Sequence, residues 1–142
     1  MHTLLRVLSL GCAAAAFSAS LTGCATIDGP LDEGRYTLAE REVLPLGERL
    51  SITYEGALDS RCPLNARCVS PGMLAYRFTM RIGNVAQGFY LMPGGPGYMS
   101  PALRGARVVL DHTTPLPSPP TMADPVGAFL APYPATINVY AP

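Results

Sequence analysis

Tyr76, Phe78, Met80 and Ile82 alternate with Arg77, Thr79 and Arg81; Gly83-Asn84 follows, and a second apolar run extends from Val85 to Met92. Alternation with a period of two is the pattern of a strand with one face buried. A two-residue Gly-Asn connection closes a hairpin, because glycine supplies the positive φ of a primed turn. The turn sets the register: Ile82 faces Val85, Met80 faces Gln87, Phe78 faces Phe89 and Tyr76 faces Leu91. Nearly all the bulky apolar groups then share one side, and a slip of one residue would destroy that match.

The remaining periodic segments are strands as well. Leu50, Ile52 and Tyr54 alternate with Ser51, Thr53 and Glu55. Tyr36, Leu38, Val43 and Leu44 mark an earlier extended region ending at Pro45-Leu46-Gly47, and Arg107 to Asp111 and Thr136 to Tyr140 add two later ones. No segment beyond Gly34 keeps a long helical period, and no internal repeat is visible. Most of the prolines follow Leu91, so the C-terminal third is expected to be irregular backbone wrapped on the sheet, with two or three paired stretches. Short strands with Gly/Pro turns predict an all-β domain: a small antiparallel sandwich or partly open barrel of about six to seven strands.

Composition narrows the function. Charged residues make up 14% of the chain and Lys+Arg 10 balance Asp+Glu 10. That disfavours both a solvated disordered chain and a nucleic-acid binder, which needs a basic excess to neutralise phosphates. Every basic residue is Arg, so lysine Schiff bases and P-loop lysines are excluded.

Met1 to Arg6 is weakly basic, and Val7 to Leu21 is apolar and small. A bilayer-spanning helix wants about 20 apolar residues, so this shorter run has the form of a secretory signal. It ends in Leu21-Thr22-Gly23-Cys24, which resembles the lipobox of bacterial lipoproteins; Cys12, preceded by Ser9-Leu10-Gly11, fits that pattern less well. The resemblance implies that residues 1–23 are removed and that Cys24 carries acyl chains into membrane lipid, two or three of which hold a protein almost permanently. Ala25 rather than Asp follows, so the same resemblance implies the outer membrane, facing the periplasm. An ordinary secreted protein with a Cys near the cut is the alternative. Cys24 to Gly34 is expected to be a tether, spanning roughly 20 Å as a flexible chain, and residues 35–142 a single β domain.

With Cys12 removed and Cys24 acylated, Cys62 and Cys68 remain in an oxidising compartment and are expected to pair. Zinc is the competing reading, but two Cys and one His fall short of four ligands. The segment Asp59-Ser60-Arg61-Cys62-Pro63 through Cys68 to Gly72, followed by a strand, resembles a set of small bacterial lipoproteins with an Asp-Ser-Arg-Cys-Pro loop and a second Cys. Those relatives commonly carry a Trp after the second Cys, where this chain has Ser70-Pro71. The resemblance implies a fold and a location, and no activity.

Asp59 suits a turn, where its carboxylate accepts backbone N–H groups a residue or two on and pairs with Arg61. The same rigid loop, with Asp59, Ser60 and Arg61, is also a platform for recognition, and its ring presents Arg67. The loop Pro93 to Pro101 carries Tyr98 and Met99, as contact residues or with Tyr98 folded back on the sheet. A Ser-His-Asp hydrolase would need His112 with Asp111, but neighbours on a strand point to opposite faces, and no Gly-x-Ser-x-Gly elbow exists. No paired-carboxylate signature is present either. Met92, Met99, Met122 and His112 could hold Cu(I), although methionine is also ordinary core filler. The expectation is a lipid-anchored envelope protein without cofactor that acts by structural or protein-binding contacts. The alternatives are a copper-binding lipoprotein and an enzyme of unrecognised type.

Overall fold

The β-strand pattern of the sequence becomes two four-stranded antiparallel sheets, in the orders β1-β8-β7-β6 and β2-β3-β4-β5. The structure is a computed structural model that describes residues 31–119, 121 and 133–142, so the leader, Cys24 and Met122 lie outside it. In chain order the strands are β1 (Gly34–Leu38), β2 (Val43–Pro45), β3 (Leu50–Asp59), β4 (Leu74–Ile82), β5 (Val85–Leu91), β6 (Tyr98–Met99), β7 (Arg107–Leu110) and β8 (Ala135–Tyr140). A 3-10 turn, Pro101–Leu103, is capped by the Ser100 side chain. The two sheets do not close into a barrel. Eight strands replace the expected six to seven because the first extended region is two strands and Tyr98-Met99 pairs with β7.

The β4–β5 hairpin has the register that its turn and alternation dictate: Ile82 to Val85, Met80 to Gln87, Phe78 to Phe89 and Tyr76 to Leu91. Gly83 takes φ 54, the left-handed conformation that the turn requires. On β3 the period-two pattern runs to Tyr54 and then shifts phase at a bulge between Tyr54 and Gly56. The extra residue turns Ala57 and Asp59 inward in place of Gly56 and Leu58. That phase shift is why Asp59, a charged residue, ends the strand on the buried side.

One hydrophobic cluster fills the space between the sheets. Ile52, Tyr54, Tyr76, Phe78, Met80, Phe89 and Leu91 meet Leu38, Val108, Ala135, Ile137 and Val139 from the other sheet. An aromatic row crosses it: Tyr54 to Phe78 at 5.1 Å, Phe78 to Phe89 at 5.4 Å and Phe89 to Tyr98 at 4.0 Å between ring centroids. The last pair joins β5 of one sheet to β6 of the other and plugs the side of the sandwich between them. The Tyr98 hydroxyl is buried there with no hydrogen-bond partner among the described residues.

Two expectations are corrected. Tyr36 to Leu46 is not one extended region, because the chain turns at Ala39–Glu42 with Arg41 in the left-handed conformation and changes sheet. Residues 31–34, assigned to the tether by composition, belong to the domain: Leu31 packs against the core, Asp32 donates its N–H to the Leu46 carbonyl at 3.2 Å, and Gly34 pairs with Val139. The chain therefore enters the sandwich at the end where Leu46 bonds Leu50. The Asp59–Leu74 connection closes the opposite end of β3 and β4.

Candidate functional site

The loop between β3 and β4 is built from short-range bonds that its own sequence dictates. The Asp59 carboxylate is the hub. One oxygen accepts the Arg61 backbone N–H at 3.0 Å and its Nε at 2.9 Å, and the other accepts Nη2 at 2.6 Å. This two-pronged, charge-assisted arrangement is the strongest way to hold a guanidinium. Burial pushes the Asp59 carboxyl up, but the hydrogen bonds and charge of Arg61 outweigh it and hold the group below the usual carboxylate range. Arg61 Nη2 also donates to the Pro117 carbonyl at 2.7 Å, and the Tyr76 hydroxyl donates to the Pro115 carbonyl at 3.2 Å. The proline-rich segment after β7 is thus fastened across the base of the loop.

Above this base the two arms of the loop run side by side. Ser60 N–H donates to the Met73 carbonyl at 2.8 Å and Cys62 N–H to the Pro71 carbonyl at 2.9 Å. Gly72, at φ +69, lets the returning arm pass so close to Ser60 that a Cβ would fall 1.8 Å from the Ser60 carbonyl oxygen. Cys62 and Cys68 form the expected disulfide, with Cα atoms 5.9 Å apart. Constraint of the unfolded chain by so small a ring supplies about 2 kcal/mol in the loop-entropy model.

The outside of this end is apolar. Leu64 is 72% exposed, Leu116 60% and Met73 50%, and Val69 stands fully in solvent. Arg67 is exposed beside them. Asp59 and Arg61 therefore fix the loop from behind, while Leu64, Arg67 and Val69 form its presented surface. No family model, curated protein or solved structure matches this chain.

The other sequence candidates are dispersed. Tyr98 is not at a loop tip: it pairs with Val108 in β6 and its ring lies on Phe89, because Gly97, at φ +85, turns the chain back onto the sheet. Met99 pairs with Arg107 at the start of β7, whereas His112 follows its far end, roughly 16 Å away at about 3.3 Å per residue. Among the described residues no group of three His, Cys, Asp or Glu could hold a metal. His112 is 91% exposed, with Nδ1 3.9 Å from Asp111.

Asp111 itself anchors a network not expected from the sequence. Its carboxylate accepts Thr113 N–H at 2.7 Å, Asn138 Nδ2 at 2.7 Å and Arg35 Nη2 at 3.4 Å, tying β1 and β8 to the end of β7. The local signal, Asp111 two residues before a hydroxyl donor, was legible; Asn138 and Arg35 are far away in sequence. Hydrogen bonds from Thr113 and Asn138, aided by Arg35 and opposed by burial, hold the Asp111 carboxyl well below the usual range. A carboxyl whose folded pKa is depressed contributes stability above its unfolded value, about 3.9, and loses it as pH falls through the folded value. Urea unfolding followed from pH 5 to pH 2 is expected to show stability falling with acid, and Asp111→Asn is expected to flatten that slope. An unchanged slope would remove Asp111 as its source.

Proposed function

We propose that this chain is a lipid-anchored envelope protein, held in the outer membrane by acylated Cys24 and facing the periplasm, that binds another protein through the disulfide-loop end without catalysis. The observation that carries this reading is the combination of a braced loop with an apolar exterior. Leu64, Val69, Met73 and Leu116 are exposed around a backbone already fixed by the Asp59–Arg61 fork, the Pro117 contact and the disulfide. Ordering a loop in advance lowers the entropy lost on association, and apolar side chains on a rigid support are what a protein interface desolvates. The anchor rests on Leu21-Thr22-Gly23-Cys24. The Cys62–Cys68 bond supports an oxidising location.

Two measurements test the two halves. Labelled palmitate is expected to enter the wild-type chain and to be lost in Cys24→Ser; equal labelling, or none in either, overturns the anchor. A photo-crosslinking residue at position 69, introduced into the chain in its native envelope, is expected to give a discrete heterologous adduct about tenfold above one at Glu48, and Leu64→Asp is expected to abolish it. Equal products at both positions would overturn the binding surface.

A further inference from the structure

The four sheet edges differ in how well they resist pairing. β2 is three residues long and ends in Pro45, and β6 is two residues long. β1 carries Arg35, which is engaged with Asp111. β5, at the end of its sheet among the described residues, is different: Val85–Leu91 is VAQGFYL, seven residues without a charge, a proline or a bulge. Short strands, prolines and charges are the devices that keep edges from pairing, and β5 has none of them.

Its free hydrogen-bonding groups can be named. Ile82 and Val85 flank the two-residue turn and exchange both bonds, so in the alternating antiparallel ladder Val85, Gln87, Phe89 and Leu91 bond β4. Ala86, Gly88 and Tyr90 then direct their N–H and C=O groups outward, and all three residues are exposed. On the same outer face Arg81 pairs with Ala86 and Arg77 with Tyr90. The ion pairs of the described residues involve Arg35, Arg61 and His112, so neither Arg77 nor Arg81 has a carboxylate partner among them. The nearest acids are Glu48, which lines a shallow cavity with Arg81, Gly83 and Asn84, and Glu55, at the β3 bulge beside Arg77; neither is within ion-pair distance of those arginines.

We propose that β5 accepts an extended, acidic segment of another protein as a fifth strand of its sheet. Three outward residues supply backbone bonds, the mode of strand addition. An added strand would lie about 10 Å from β4, two strand spacings. Arg81 and a glutamate close that gap from opposite sides over Ala86 and Gly88, which offer no bulk; the nearest atom to a Cβ at Gly88 is 3.9 Å away. A second copy of this chain fits less well: a continuous sheet through two antiparallel β5 edges would set Arg77 and Arg81 of both copies on the same face, and the uncharged β5 brings them no carboxylate.

The test uses the full nitrogen-labelled chain in detergent and two end-capped peptides, one alternating valine with glutamate and one alternating valine with lysine. The glutamate peptide is expected to shift the amide signals of Ala86, Gly88 and Tyr90, with affinity about tenfold above the lysine peptide and falling with added salt. Arg81→Gln is expected to remove most of that preference. Ala86→Pro, which deletes only an outward N–H, is expected to abolish binding while the other amide signals persist. Shifts centred on another edge, equal affinity for both peptides, or no shift at millimolar peptide would each overturn the proposal. So would a β5–β5 homodimer detected without peptide. None of these outcomes bears on palmitate labelling at Cys24, so the edge and the anchor fail separately.

Discussion

Phe78→Ala is expected to lower stability by about 3–5 kcal/mol, measured by urea unfolding at neutral pH. Phe78 is fully buried and its ring lies between Tyr54 and Phe89, 5.1 and 5.4 Å away. Truncation removes the middle of the aromatic row and leaves a cavity that neither rigid ring can fill, because each has its own place: the Tyr54 hydroxyl donates to the Tyr133 carbonyl at 2.8 Å, and Phe89 is stacked on Tyr98. A domain of this size has about 5–15 kcal/mol in total, so the loss is a large share of it and is expected to lower the urea midpoint sharply. Phe78→Leu, which keeps much of the volume, is expected to retain most of the stability. A loss below about 1 kcal/mol for alanine would mean that the row is not the centre of the core.

Asp59→Ala is expected to cost about 2–4 kcal/mol, more than its position at the end of a strand suggests. Asp59 is 4% exposed and takes three bonds from Arg61, so removing it leaves a half-buried guanidinium with only the Pro117 carbonyl. The orphaned charge, rather than the lost attraction, is the larger part of the effect. Arg61→Met in the Asp59→Ala background is therefore expected to recover part of the loss, and the double-mutant cycle by urea unfolding reads the coupling directly. Additive losses would show that the two side chains act independently. Crosslinking from position 69 is expected to weaken in Asp59→Ala because the loop loses its brace, although Asp59 itself is buried behind the loop.

What was legible in the sequence is what short-range chemistry decides. The hairpin register followed from Gly83-Asn84 and the alternation on either side, and the Asp59–Arg61 fork from two residues a turn apart. Alternation says that a residue is on a strand but not which sheet the strand joins, so the division of Tyr36 to Leu46 between two sheets was hidden. The bulge at Glu55 was hidden for a related reason: Gly56-Ala57 carries too little side chain to report a change of phase. Tyr98 stood among glycines and prolines that look like an unpaired loop, yet a half-buried ring stacked on Phe89 decides its place. Pro117 as the acceptor for Arg61, and Asn138 as the donor to Asp111, depend on contacts across the fold that no local pattern carries.

The separation of the chain's point of entry from the disulfide loop has a mechanical meaning. Residues 31–33 join the sandwich beside Leu46, and the loop caps the far end of β3 and β4. Tension between a membrane-held N-terminus and a partner gripping Leu64 and Val69 would run parallel to the strands. The hydrogen bonds of each ladder would then be loaded together in shear instead of being unzipped one at a time, the antiparallel ladder of Gly34–Leu38 with β8 included. With the proposed anchor and partner in place, such a joint would carry force between them while its own layers stay assembled.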